Sequence, residues 1–367
     1  MNMKTIISKV LKVLLYIFVY IIKVLNKDPS CLLPTLCSVL EKKSSNYISY
    51  RLRPKKANSF IDSKIKTISK RGELAIVLQG LIETRDDFTL ETVRFYKHLF
   101  PHAIIIISTW DYTPLTLLNL FKKEGCEIVL NKNFNPCGFG NINYQICTSL
   151  SGCKKAKELG ATYVLKNRSD LRIYRDFSFE YLKSLLSIFP IKGDNPCGLK
   201  GRIITQTGNP AQMFIPLWLQ DFIYFGYVDD IIKLFDIPYD QRNIHSGQKY
   251  MKSIYGKITG DIMIKELVPE INITQKFLQK YIDSKSTVEE YWKLLRELFI
   301  IIDAEDLGTL WNKYGLQDLS NYYCEYDGVH NFTDEKRHIS FIDFINIYNN
   351  QYNYEPWMGE AHRKYKV

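Results

Sequence analysis

From residue 73 onward the chain alternates short apolar runs with longer amphipathic stretches. Leu74-Ala75-Ile76-Val77-Leu78 is an unbroken apolar run closed by Gln79-Gly80. A run this short, bounded by turn residues, predicts a buried strand. Helical spacing follows over Thr89–Leu99, with Pro101 beyond it. Ala103–Ile107 is a second buried strand ending in Ser108-Thr109-Trp110, and Pro114–Glu124 a second helix. Glu127–Leu130 is a third strand, Asn131–Gly140 an Asn/Gly/Pro loop, Asn143–Leu159 a long helix, and Tyr163–Lys166 a fourth strand. Strands with no polar face, each followed by a helix, predict an α/β fold with a mostly parallel central sheet covered by helices on both faces.

In such sheets ligands bind beyond the carboxyl ends of the strands. Four places therefore matter: Gln79-Gly80, Ser108-Thr109-Trp110, Asn131-Lys132-Asn133 and Asn167-Arg168-Ser169-Asp170. The first strand is not followed by Gly-x-Gly-x-x-Gly, and neither a phosphate-binding Gly-x-x-x-x-Gly-Lys-Ser/Thr loop nor a Gly-x-Ser-x-Gly elbow occurs. Dehydrogenase, P-loop kinase and α/β-hydrolase chemistries lose their signatures.

The N-terminus has a different pattern. Val10–Leu25 is almost continuously apolar, and Lys9, Lys12, Tyr16, Tyr20, Lys23 and Lys27 interrupt or flank it at spacings of three and four. At about 100° per residue they share an arc of roughly 80° on a helix. The apolar part is about 24 Å long at 1.5 Å per residue, short of the ~30 Å hydrocarbon core. The spacing predicts an amphipathic helix lying in a membrane interface; a transmembrane anchor and a packing helix are the other readings. Polar, basic residues 42–71 read as a tether along the same surface.

Charge strengthens that picture. Residues 1–71 hold 15 Lys/Arg against Asp28, Glu41 and Asp62, a net +12, which leaves 34 basic and 36 acidic residues, or −2, for the rest. The positive charge lies beside an apolar segment instead of on the folded domain. That favours an anionic membrane surface as partner and argues against nucleic acid. Hydrophobic residues make up 46% of the chain, enough for a full core. No pair of the eight cysteines has Cys-x-x-Cys spacing, so they read as free thiols in a reducing compartment.

The densest chemistry is Lys166-Asn167-Arg168-Ser169-Asp170-Leu171-Arg172, where a buried strand runs into four charged residues. Asp170 could hold Mg²⁺ or Mn²⁺ by one oxygen while substrate phosphates complete the shell. Arg168 and Arg172 could grip a diphosphate bidentately. A purely structural ionic cluster fits the same spacing. Further on, Asp221 precedes the aromatic run Phe222, Tyr224, Phe225. It reads either as an acceptor contact or as a turn cap. Glu270, after Pro269, reads either as a general base or as a helix-dipole complement. His245 in a polar loop is a competing base.

With these segments in hand, the chain resembles the WavE family of lipopolysaccharide-synthesis proteins, similar in design to GT-A-type glycosyltransferases. The resemblance is carried by Ile76–Gly80, Ile107–Trp110, Asn141–Gln145, Lys166–Ile173, Asp221–Gly226, Pro269-Glu270 and Ile300–Asp303, and spans roughly residues 73 to 315. It implies a GT-A-like nucleotide-sugar glycosyltransferase. The donor would lie against Gln79 and Gly80 with Thr109 nearby, Lys166, Arg168 and Arg172 would serve its phosphates, and Asp170 would stand in for the usual Asp-x-Asp metal motif. Asp221 and Glu270 would be the catalytic carboxylates of the acceptor half. Two departures stand out. The motif is Arg-Ser-Asp with one carboxylate, which puts a divalent cation in question, and Leu81 follows Gln-Gly where the family usually has Pro.

The expected organisation is a basic membrane arm over 1–71, a transferase domain over 72–315 (donor half to about 175, acceptor half from about 176), and an extension over 316–367. The expected activity moves a sugar from a nucleotide-sugar to a lipid-linked or polysaccharide acceptor at the cytoplasmic membrane face, with the protein peripheral or monotopic. Transfer of a sugar-phosphate and a non-catalytic scaffold are the alternatives. The sequence assigns no oligomeric state.

Overall fold

The computed structural model describes residues 3–25, 28–45, 47–48, 52–59, 70–191, 195–206, 213, 215–251, 260–281, 287–312 and 339–350. The chain divides into two compact units, Met1–Pro54 and Lys55–Val367.

The first unit holds α1 (Met3–Val24), a 3-10 turn (Pro29–Leu32) and α2 (Leu33–Glu41). Asp28 caps the turn through a bond from the Ser30 amide, 2.8 Å. On α1 the polar arc Lys9, Lys12, Tyr16, Tyr20 and Lys23 is exposed, as are Leu11, Leu14, Leu15 and Phe18. Lys27, the last member of that arc, lies outside the described residues. Among the described residues no helix is long and apolar enough to cross a membrane.

The second unit is built on β1 (Leu74–Gln79), α3 (Phe88–Leu99), β2 (Ile104–Trp110), α4 (Leu115–Lys123), β3 (Glu127–Asn131), β4 (Gly138–Phe139), α5 (Ile142–Glu158) and β5 (Tyr163–Arg168). These include the four strands and three helices the hydrophobic pattern predicts, with boundaries within two residues except that β2 runs on to Trp110 and the loop at 131–140 contains the short β4. The chain continues through β6 (Leu171–Arg172), α6 (Ser178–Ile188), β7 (Ile203–Gln206), β8 (Tyr224–Tyr227), α7 (Val228–Phe235), β9 (Asn243–Ile244), α8 (Gly260–Lys265) and α9 (Pro269–Gln279). It closes with α10 (Val288–Leu298), β10 (Phe299–Ile302), α11 (Ala304–Leu307), β11 (Leu310–Trp311) and α12 (Phe341–Tyr348).

Seven strands form one sheet in the order β3-β2-β1-β5-β8-β7-β10. β8 is antiparallel to both neighbours, and the other six run the same way. β6 pairs with β11 and β4 with β9 as two small ribbons. The central strands are buried on both faces, and alternation sends successive side chains to opposite layers. Tyr163 and Asn167 look to one layer, where Tyr163 meets Phe179 of α6 and Asn167 meets the Tyr96 hydroxyl of α3. Lys166 looks to the other, 5.5 Å from the Phe235 ring of α7. On that same layer Gly152 of α5 lies so close to β1 that a Cβ there would meet Val77 Cγ1 at 2.4 Å.

Part of the basic run preceding the sheet belongs to this unit. Lys55 pairs with Asp86, Lys56 with Asp87, and the Ala57 amide donates to Glu91 of α3. Among the described residues of the C-terminal extension, α12 packs Phe341, Phe344 and Tyr348 around Phe189. Lys313, Tyr314 and the remainder of the tail lie outside the described residues.

Candidate active site

β1 and β5 are adjacent and in register, so Gln79 stands beside Arg168 at the carboxyl edge of the sheet. The turns that leave the two strands are stitched together. The Ser169 amide donates to Gln79 O at 3.0 Å, Ser169 Oγ donates to Leu81 O, and Thr89 Oγ1 donates to Ser169 O at 2.8 Å. Gly80 takes φ +105°, a backbone region that side-chain-bearing residues avoid, and donates its amide to Ser108 O. Gln79 is buried and accepts from Thr148 Oγ1 of α5 at 2.7 Å. The Gln-Gly pair thus makes a narrow turn that brings main chain, and little side chain, to the ligand edge. Thr109 is buried one strand away, its hydroxyl 3.2 Å from that of Thr113.

Arg168 and Asp170 form a planar fork, Nε to Oδ1 and Nη2 to Oδ2, both 2.8 Å. Their side chains are 18% and 14% exposed, so the pair meets solvent at its rim. The guanidinium lies 5.2 Å from the Phe222 ring centre and 5.6 Å from that of Trp311. Phe222 comes from the turn before β8, and Trp311 from β11, the partner of β6. The Asn312 amide donates to Asp170 O at 2.8 Å, and Arg85 Nη2 to Asn312 O at 3.0 Å. Nothing in the sequence links Arg85, Phe222, Trp311 and Asn312 to the Arg168–Asp170 pair, because up to 227 residues separate members of the group.

Two expected phosphate ligands are placed elsewhere. Arg172 is 1% exposed and spends its guanidinium on Thr92 Oγ1, Lys55 O, Tyr174 Oη and Phe88 O, with the Phe88 and Phe95 rings 4.4 and 4.7 Å away. It pins α3 and the preceding segment to β6 and cannot reach a diphosphate from there. Lys166 is fully buried and donates to the carbonyls of Asp221 (2.5 Å) and Phe222 (3.4 Å). Burial pushes its ammonium down to about 7 despite the opposing pull of Asp221. It is a strut beneath the acceptor-side turn.

On the acceptor side the turn before β8 is anchored from two elements. Gln145 of α5 donates to Asp221 O at 3.0 Å, so that one carbonyl is held by both Gln145 and Lys166. Asp221 itself is buried, whereas Glu270, in the first turn of α9, is half-buried. Tyr224 on β8 is fully buried, with no hydrogen-bond partner for its hydroxyl among the described residues. Burial raises its pKa well above the ordinary value, and the charges of Asp221 and Glu270 raise it further. His245 is exposed, 3.1 Å from Asn141 Oδ1. Beyond β2 and β3 a chain of rings, Tyr112, Trp110, Tyr144, Phe134 and Tyr239, runs in successive contacts of 5.0 to 6.2 Å.

The donor set does not fit a resident divalent cation at Asp170. Both of its oxygens face Arg168, and the residue two before it, where a second carboxylate would stand, is that same arginine. Among the described residues no three His, Cys, Asp or Glu side chains gather as a metal site.

A family model described as WavE lipopolysaccharide synthesis matches residues 74–355, most of the chain. Among solved structures, the chain is similar to one described as a nucleotide-diphospho-sugar transferase from Desulfovibrio desulfuricans G20. That match has 10% identity and a TM-score of 0.32, over 64% of this chain and 80% of the other. It is similar also to mannose-1-phosphate geranyltransferase from Thermus thermophilus, at 10% identity and a TM-score of 0.30, over 63% and 74%. No curated protein matches.

Proposed function

The chain belongs to the WavE lipopolysaccharide-synthesis family, and on that premise we propose that it is a glycosyltransferase moving a sugar from a nucleotide-sugar donor to a glycan or glycolipid acceptor. The observation that carries the reading is the stitched pair of turns, Gln79-Gly80 and Arg168-Ser169-Asp170, at the carboxyl edge of a parallel sheet. That edge is where an α/β sheet receives its ligand.

In this reading the diphosphate lies along the Gly80 turn, where the backbone can approach closely, and meets Arg168. Asp170 and the two rings fix the guanidinium's direction, so its charge is already oriented before the donor arrives. The acceptor enters from the side of Asp221 and Glu270. Glu270 takes the proton from the acceptor hydroxyl as that oxygen bonds to the sugar's anomeric carbon. The bond from that carbon to the diphosphate breaks, and the nucleoside diphosphate leaves with its electron pair beside Arg168. Asp221 is held too deeply for that first contact and shapes the turn around the acceptor.

The charge of the basic arm supports a site of action at the cytoplasmic face of the membrane. α1 lies in the interface with its lysines among anionic headgroups, close to lipid-linked acceptors.

Calorimetric titration with a panel of nucleotide-sugars tests the reading, followed by turnover of whichever one binds. Glu270→Gln is expected to keep donor affinity and lower kcat by roughly 10²–10⁴. A protein that binds no member of the panel is a scaffold and not a transferase.

A further inference from the structure

We propose that this site binds its donor's diphosphate without a divalent cation, Arg168 being the cation in the place where the metal would sit. The inference rests on the transferase reading above and goes beyond it by specifying how the site handles the donor's charge.

A pair of carboxylates two residues apart brings two negative charges to one point and so draws in Mg²⁺ or Mn²⁺. Here the first of the two positions holds Arg168, so a fixed positive charge stands beside Asp170 where the motif would place a second negative one. A divalent ion placed on Asp170 would lie beside a guanidinium that cannot lose its proton, and the two would repel. The arginine is also built in. It is aligned with Gln79 across the strand pair, held in plane by both Asp170 oxygens, and set near the Phe222 and Trp311 rings. Ring faces favour a cation electrostatically while excluding water from it, which strengthens its pull on an incoming anion. A lysine could not replace it, because the fork needs two parallel N–H groups.

The geometry also accounts for Trp311. The β6–β11 ribbon brings this residue from much later in the chain to the short strand that directly follows the motif. Asn312 extends the contact by donating to the Asp170 carbonyl. These contacts keep the arginine from swinging away.

The test is calorimetric titration of the full chain with uridine, guanosine, cytidine, adenosine and thymidine diphosphates, first in EDTA and then in Mn²⁺. We expect one nucleotide to bind with dissociation constants within about twofold of each other in the two buffers. Arg168→Gln should weaken that binding in EDTA by at least about tenfold, and Arg168→Lys should not restore it. Binding by the wild type that needs Mn²⁺, falling more than about tenfold in EDTA, overturns the inference and leaves the transferase reading standing. That comparison uses the wild type alone, so it holds even if the variants fail to fold. Absence of binding to every nucleotide in both buffers removes the transferase reading, and this inference with it.

Discussion

Arg168 and Arg172 are four residues apart and alike in sequence, yet the fold separates their tasks. Arg172 is enclosed by Thr92, Phe88, Lys55 and Tyr174 and holds α3 to the sheet, while Arg168 meets the rim of the site. Lys166, two residues earlier, is buried beneath the turn at Asp221. Its depressed pKa has a consequence that can be measured. Between about 7 and the ordinary 10.5 the unfolded chain carries a proton on this lysine that the folded chain does not. Stability therefore rises with pH through that window, by the linkage between proton uptake and folding. Lys166→Met is expected to flatten that rise in denaturant melts taken from pH 7 to 10; an unchanged pH dependence would show that the ammonium is not held as described. The sequence marks all three residues as chemically interesting, because charges at the end of a buried strand are rare. It does not separate them. A strand that is apolar on both faces carries no label for which layer each side chain enters.

At the scale of elements, the parallel half of the sheet was readable from hydrophobic runs of strand length alternating with helical spacing. The antiparallel β8 was not, since strand direction depends on which neighbour supplies the hydrogen bonds. β7 is not legible either, because Ile203–Gln206 offers only two apolar residues before Thr205 and Gln206. Helix α5 shows how the parallel half is fastened. It lies against β1 and β2, and at Gly152 there is no room for a methyl group, since a Cβ there would meet Val77 Cγ1 at 2.4 Å and Ser108 Cβ at 3.1 Å. Gly152→Ala should gain helix propensity of about 1 kcal/mol. It should lose more than that to overpacking, typically about 1–3 kcal/mol. A fall in Tm is the expected result. A stabilised variant would mean that α5 can lift from the sheet without cost.

At the scale of the whole molecule the chain has two compact units with different surfaces. The second hides its apolar residues in a layered core, while the first leaves Leu11, Leu14, Leu15, Phe18, Leu36, Val39 and Leu40 exposed. Exposed apolar residues next to lysines fit an anionic bilayer, each lysine contributing about 1 kcal/mol near the surface. Lys12→Glu together with Lys23→Glu should therefore release the protein from anionic vesicles in a sedimentation assay. Pelleting of the unaltered protein that persists through a carbonate wash would instead mean a helix that spans the bilayer. By itself the sequence determined the alternation of strands and helices, the amphipathic arm, and the place along the chain where charge gathers. Each of these is local: burial periodicity and charge density are written in neighbouring residues. Only the tertiary structure decided that Phe222 and Trp311 approach Arg168, that Gln145 and Lys166 hold the Asp221 carbonyl, and that Arg172 turns inward. Those pairings join residues far apart in the chain, and their geometry is set by sheet order and by the alternation of side chains across it.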